Sequence, residues 1–328
     1  MKAILCKSFG PPENLQIEEV QNLKPKKGEL LVEVNFAGLN FPDILQIAGK
    51  YQIRPPFPFI PGSEAGGKII GIGSNVNGFK IGDRVMAFPG ISAMAQQICV
   101  KPNMLKKIPD SMNLQTASGF PMAYTTSYYA LKQRANLKKS ETLLVLGAGG
   151  GLGLTAIELG KLMGAKIIAA ASSKVKLKYA KQAGADLFVD YSDGNLKTKI
   201  KELTNGKGAD VIFDPVGGNF FDQSTRCINW NGRLLVIGFA SGRIPEYKAN
   251  LALLKGSSMV GVFLKRWMDE ERDEYDKNMI ELFEYFENGL IKAIKTQTFK
   301  LENFMKAFNT LKNRKAIGKI SIEFKSEK

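Results

Sequence analysis

The chain has 328 residues, 44% hydrophobic and 23% charged, an ordinary soluble composition that excludes a disordered, collagen-like or fibrous polypeptide and suggests about two domains. Lysine and arginine number 46 against 31 aspartates and glutamates, a net +15 that favours anionic partners, although the lysines are scattered and read equally as solvated faces. No histidine occurs, and the three cysteines (Cys6, Cys99, Cys227) are far apart, which excludes His-based triads, His–metal sites, a disulfide scaffold and a four-cysteine zinc lobe.

The first 115 residues read as β-rich. Val32, Val34 and Phe36 alternate with polar or small neighbours, as a half-buried strand requires. Further strands are expected over residues 68–72 and 84–88, separated by the turn signals Gly73-Ser74-Asn75 and Gly82-Asp83. Pro55, Pro56, Pro58 and Pro61 make their stretch an extended loop, because proline blocks both helix and central strand. From residue 143 strand and helix alternate. Strands are expected over 143–146, 166–171, 187–189, 211–213 and 234–237, and helices over 152–163, 174–183 and 196–203. This pattern predicts βαβ units and a parallel sheet covered on both faces. Residues 258–263 add an apolar strand. A long amphipathic helix over 270–288 ends at Gly289, and a helix over 302–312 and a strand over 319–324 close the chain. Residues 111–131 are too polar, and residues 142–157 too short and glycine-rich, to span a bilayer. No secretory h-region follows residues 1–6. The expectation is a soluble, cytoplasmic protein.

Between the strand at 143–146 and the helix after it lies Gly147-Ala148-Gly149-Gly150-Gly151-Leu152-Gly153. Glycines there permit a tight turn and close approach of backbone to a pyrophosphate, with the helix N-terminus supplying free N–H groups. Gly151, Gly153 and Ala156 have the G-x-G-x-x-G/A spacing. An NAD site usually carries an acidic residue at the end of the second strand. Here that point reads Ala171-Ser172-Ser173-Lys174-Val175-Lys176, with no carboxylate and two lysines. Hydroxyls and ammonium groups suit a 2′-phosphate, so NADPH is expected over NADH. Lys174 and Lys176 also read as plain helix-surface charges.

Several short motifs stand in a fixed order: Gly38-Leu39-Asn40-Phe41-Pro42-Asp43, Pro61-Gly62-Ser63-Glu64-Ala65-Gly66-Gly67, Gly82-Asp83-Arg84-Val85, the glycine turn, Asp214-Pro215-Val216-Gly217-Gly218, Gly238-Phe239-Ala240-Ser241-Gly242 and Arg314-x-x-x-Gly318-Lys319. On these, nearly end to end, the chain resembles the zinc-independent quinone oxidoreductases of the medium-chain dehydrogenase/reductase superfamily, the zeta-crystallin-like branch. The resemblance implies an α/β fold, a Rossmann doubly wound parallel sheet plus a GroES-like β-rich catalytic domain. The catalytic domain would take residues 1–120, the Rossmann domain 121–265, and residues 266–328 would return to the catalytic domain. Asn40 and Ser63 stand where zinc-dependent relatives have a metal-binding Cys and His, so no metal site is expected. By the same resemblance Asn40, Asp43 and Tyr51 line the nicotinamide pocket and Thr126 packs near the ring. Ala148, Gly150, Gly151, Leu152 and Gly153 hold the pyrophosphate, and Ser172, Lys176 and Tyr191 contact the 2′-phosphate and adenine. Val216, Phe239, Ala240 and Ser241 lie under the nicotinamide end, and Arg314 is a C-terminal cofactor contact. Tyr124 stands where many members have glycine. From the residues alone, Asn40 and Asp43 also read as turn residues, Tyr51 as an exposed aromatic, and Thr126 as a helical residue bonded back to its own backbone.

Hydride transfer without metal or imidazole suits a conjugated acceptor, whose oxygen delocalises the added charge. Asn40, Tyr51 and Thr126 are the candidate catalytic hydrogen-bond donors. The expected reaction is reduction of a quinone by NADPH. The alternatives are an enone or enoyl thioester reductase and a nucleotide-regulated RNA-binding protein with little turnover. The apolar strand 258–263 is expected to pair across a homodimer.

Overall fold

The computed structural model describes residues 1–327, which divide into two units, residues 1–122 with 295–327, and residues 123–294. In the first unit, alternating apolar side chains build a seven-stranded sheet around the ten-residue strand Leu30–Leu39. Glu64–Ile72, Arg84–Ala87 and Leu105–Lys107 follow on one side. On the other, Gln97–Val100 pairs with residues 30–33 and Lys319–Glu323 with residues 36–39. Thr296–Lys300 adds a parallel edge to Lys319–Glu323. Leu30, Val32, Val34, Ile69, Val85, Ile98, Ile320 and Ile322 interlock as the core. The strand expected at 68–72 begins four residues earlier, because the small residues Ala65, Gly66 and Gly67 extend the pairing with Leu30–Leu39.

The second unit carries six parallel strands in the order Leu187–Asp190, Lys166–Ala171, Thr142–Leu146, Ala209–Asp214, Ile228–Val236, Ser258–Gly261. Order reverses beside Thr142–Leu146, the first strand of the sheet in sequence, as in a doubly wound nucleotide fold. Strands buried on both faces explain the unbroken apolar runs of the sequence.

Two expectations need correction. Residues 266–294 belong to the second unit rather than to the C-terminal return. Trp267 stacks on Tyr129 at 4.2 Å, and Asn278 is hydrogen-bonded to Lys132 and Gln133 at 3.0–3.1 Å. The single helix expected at 270–288 is two, Leu264–Glu270 and Arg272–Glu287, broken at Glu271 (φ −123°, ψ 53°). The break lets Tyr275 meet the edge of Trp267 at 6.0 Å.

Candidate active site

In the first unit, Leu30–Leu39 ends at Asn40, and the short helix Phe41–Ile47 starts there with Pro42 in its first turn, where proline is pre-organised and no N–H is missed. The Asp43 carboxylate turns back to accept the Asn40 N–H at 2.7 Å, the acidic half of a capping arrangement. Asn40 therefore presents its side chain inward. Its Nδ2 donates to Ser63 Oγ at 3.1 Å and to Glu64 Oε1 at 2.8 Å. Its Oδ1 accepts from Lys319 Nζ, which is also ion-paired with Glu64. Glu64 Oε2 accepts the Met122 N–H at 2.8 Å, and the Ser63 hydroxyl is hydrogen-bonded to Asp43.

The cluster is deeply buried: the side chains of Glu64 and Lys319 are 0% and 4% exposed. Gly119 makes room for the lysine stem, since a Cβ there would stand 2.5 Å from Lys319 Cγ. Burial pushes the Asp43 carboxyl up to about 7, against the pull of the Asn40 N–H and the Lys319 charge, with Glu64 adding to the rise. Tyr51 is half-buried, and burial followed by the Asp43 charge pushes its phenol above the ordinary tyrosine range. The structure thus joins Asn40 and Asp43 in one network and places Tyr51 within reach of the Asp43 charge. The Asn40 amide nitrogen is engaged inside the chain, by Ser63 and Glu64.

Glu64 and Lys319 are the members that sequence reasoning missed. Each stands in a recognisable motif, but lysine and glutamate read as exposed in any hydropathy pattern. The usable signal was local. Glu64 is flanked by small residues only, and Lys319 opens a short strand in which Ile320 and Ile322 take one face and Lys319 shares the other with the small Ser321.

The second unit holds the glycine turn. Gly150 caps the helix Gly151–Leu162, and Gly153 lies in its first turn. A Cβ on Gly153 would fall 2.4 Å from the Gly147 carbonyl oxygen and 2.7 Å from Ala148 Cα. Only glycine lets the helix end approach the strand end this closely. Beyond Lys166–Ala171, the Lys176 stem lies over Gly149, and Lys176 Nζ is 3.4 Å from Ser172 Oγ. Ser172 is exposed. Tyr191 is buried, its ring 4.1 Å from Phe220. After Ala209–Asp214, Asp214 Oδ1 accepts the N–H groups of Val216 and Gly217 at 2.7 and 2.9 Å. The Ala240 and Ser241 N–H groups donate to the Pro215 and Val216 carbonyls at 3.1 and 2.8 Å. Those bonds tie Val216 and the segment Phe239-Ala240-Ser241 together at the carboxyl end of the sheet, and Val216 touches the position of Gly147. Thr126 is buried on the helix Phe120–Tyr129. Arg314, in the first unit, is exposed with a left-handed backbone (φ 56°) just past the helix Phe304–Lys312.

Residues 26–119 match the alcohol dehydrogenase GroES-like domain, and residues 151–284 the zinc-binding dehydrogenase domain. A quinone oxidoreductase-like protein 2 homolog of Nematostella vectensis is 38% identical over 330 residues, 99% of this chain and 89% of the relative. The chain belongs to the quinone oxidoreductase family of medium-chain dehydrogenases/reductases. Among solved structures of similar fold are the Escherichia coli quinone oxidoreductase complexed with NADPH (27% identity, TM-score 0.92, 98% of this chain and 100% of that one) and the JamJ enoyl reductase (27%, 0.88, 98% of each).

That one matched domain is called zinc-binding raises the question of a metal. The donors around Asn40 do not fit zinc: an amide nitrogen that donates, a hydroxyl, the Glu64 carboxylate with an ammonium already paired to it, and an Asp43 carboxyl occupied by the Asn40 N–H. Among the described residues no group of three or more Cys, Asp or Glu side chains could hold a metal ion. The glycine turn does fit a dinucleotide, because it opens the helix Gly151–Leu162 directly after the strand Thr142–Leu146, where N–H groups of a helix N-terminus can meet a pyrophosphate.

Proposed function

We propose that this protein is a metal-independent reductase that uses NADPH to reduce a quinone, working in the cytoplasm as a homodimer. The observation that carries the reading is the end of Lys166–Ala171, where Ser172 and Lys176 flank the glycine cradle and no carboxylate would repel a 2′-phosphate. When bound, NADPH supplies the hydride. The residues to hold it are Ala148, Gly150, Gly151, Leu152 and Gly153 for the pyrophosphate, and Ser172, Lys176 and Tyr191 for the adenosine end. Val216, Phe239, Ala240, Ser241, Thr126 and Arg314 are proposed to complete its site. Within the first unit the Asn40–Asp43 network holds the loop geometry, and Tyr51 donates to the acceptor's oxygen. A quinone or enone suits so mild a donor, because the incoming charge is delocalised. The kinship with an enoyl reductase structure favours one second reading, reduction of an enoyl thioester.

The test is NADPH oxidation with quinones, enones and enoyl thioesters, each with and without a chelator. Quinone reduction unaffected by chelation is expected. Activity abolished by chelation and restored by zinc would overturn the reading, and turnover confined to thioesters would move it to the second one. Tyr51→Phe is expected to lower kcat/KM about tenfold with NADPH affinity unchanged, and unaltered kinetics would remove the tyrosine from the mechanism. In binding titrations, Lys176→Glu is expected to weaken NADPH about 30-fold and to change NADH by less than about threefold. An equal loss for both cofactors would show that Lys176 does not read the phosphate.

The dimer rests on the edge of the second unit's sheet. Ser258–Gly261 has one neighbour only, and Trp230, Leu253, Met259 and Phe263 are exposed nearby, Leu253 to 82%. An open strand beside such a patch is an aggregation hazard unless covered. Light scattering is expected to give twice the chain mass, and Leu253→Lys with Met259→Lys to halve it. A monomeric native protein would refute this. Among the described residues no helix is long and apolar enough to cross a membrane.

A further inference from the structure

We infer that Lys319 is the resident cation of the first unit's site, a positioning residue whose tethered ammonium fixes Asn40, neutralises Glu64 and excludes a divalent metal. A buried carboxylate must be paired, because an uncompensated charge in a protein interior is strongly destabilising. Glu64 has no aqueous counterion to draw on, being wholly buried. Its Oε1 is shared between Lys319 Nζ and Asn40 Nδ2, and its Oε2 takes the Met122 N–H.

The consequences run through the amide of Asn40. A carboxamide can be placed either way round, and here the ammonium fixes the choice. Lys319 can only donate, so the end of Asn40 that faces it must be Oδ1. The NH₂ end is then turned to Ser63 and Glu64. Ser63 Oγ, accepting from Asn40, has its own hydrogen free to bond Asp43, and Asp43 caps the helix that begins at Phe41. One lysine, 279 residues from Asn40 in sequence, thus sets which way the Asn40 amide faces and, through it, the direction of the Ser63 bonds. The side-chain ends of residues 63 and 64 lie 3.1 and 2.8 Å from the Asn40 nitrogen, so the three positions converge closely enough for suitable ligands to hold one ion. The ammonium is hydrogen-bonded to two of those three side chains, so an ion there would meet its positive charge.

The inference rests on the metal-independent reading, and the two fail separately. Chelator-sensitive quinone reduction sinks that reading, whereas the following measurements bear on Lys319 alone. Lys319→Met is expected to lower the thermal midpoint by about 10 °C, and Glu64→Gln/Lys319→Met to recover it to within about 3 °C. Zinc retained after incubation and gel filtration supplies a readout that loss of packing does not mimic. Asn40→Cys/Ser63→His with Lys319 intact is expected to keep less than about 0.1 zinc per chain, and the same pair with Lys319→Met about one. Stoichiometric zinc in the variant that keeps Lys319 would overturn the inference, as would a folded triple variant that takes up none. A Glu64→Gln/Lys319→Met protein as unstable as Lys319→Met would do the same.

Discussion

Gly153→Ala is expected to weaken NADPH binding at least about 100-fold and to cost the fold about 2–3 kcal/mol. The added methyl carbon would meet the Gly147 carbonyl oxygen and Ala148 Cα, both main-chain atoms that no rotamer change can move. Relief requires the first turn of Gly151–Leu162 to lift from the end of Thr142–Leu146, which opens the turn meant to receive the pyrophosphate. Gly150→Ala is the control. Its φ is −88°, and the nearest atom to an added Cβ, the Gly147 oxygen, would stand at 3.5 Å, an ordinary contact, so stability should change by less than about 0.5 kcal/mol. Fluorescence titration with NADPH and urea unfolding of both variants decide the matter. Equal stability and equal affinity in Gly153→Ala would mean that the close approach of helix and strand has no part in binding.

That contrast also explains why the second unit was so readable. Its strands are apolar runs closed by glycine turns, and its helices lie at the spacing a parallel sheet demands. The helix expected at 196–203 is found as Leu196–Leu203, and the strand expected at 166–171 as Lys166–Ala171. Local pattern and tertiary role agree there, because a doubly wound sheet buries both faces. The first unit hid more. The helix Phe41–Ile47 is short and follows Asn40 in a stretch that reads equally well as a turn. The hairpin Lys2–Leu5 with Gln16–Glu19 carries weak alternation. Above all, the pairing of Glu64 with Lys319 joins elements at opposite ends of the chain, and no periodicity or spacing rule brings two such residues together. Only the closure of the sheet by Lys319–Glu323 against Leu30–Leu39 does so. The break at Glu271 was likewise invisible, since the amphipathic pattern continues across it and ring packing decides the bend.

Asp43→Asn should flatten the pH dependence of stability between pH 5 and pH 8, where the native protein is expected to lose about 2–3 kcal/mol through this residue alone. The sign follows from the direction of the shift. Burial raises the Asp43 carboxyl to about 7, from 3.8 in an open chain. Between those values the folded state keeps the proton and the unfolded chain has released it. Asp43 therefore adds stability that is full below about pH 4 and lost as the pH climbs to about 7. Asparagine retains an oxygen for the Asn40 N–H and has nothing to titrate. No histidine titrates in this window, because the chain has none. Asp214, which burial pushes up to about 6, titrates there in both proteins and cancels in the difference. The groups facing Asp43 are Lys319, Glu64, Ser63 and Tyr51, and all are common to the two proteins. Urea midpoints at half-unit pH steps should show the native curve falling below that of the variant toward pH 8. Parallel curves would show that Asp43 is ionised throughout, its charge met by the lysine that already balances Glu64.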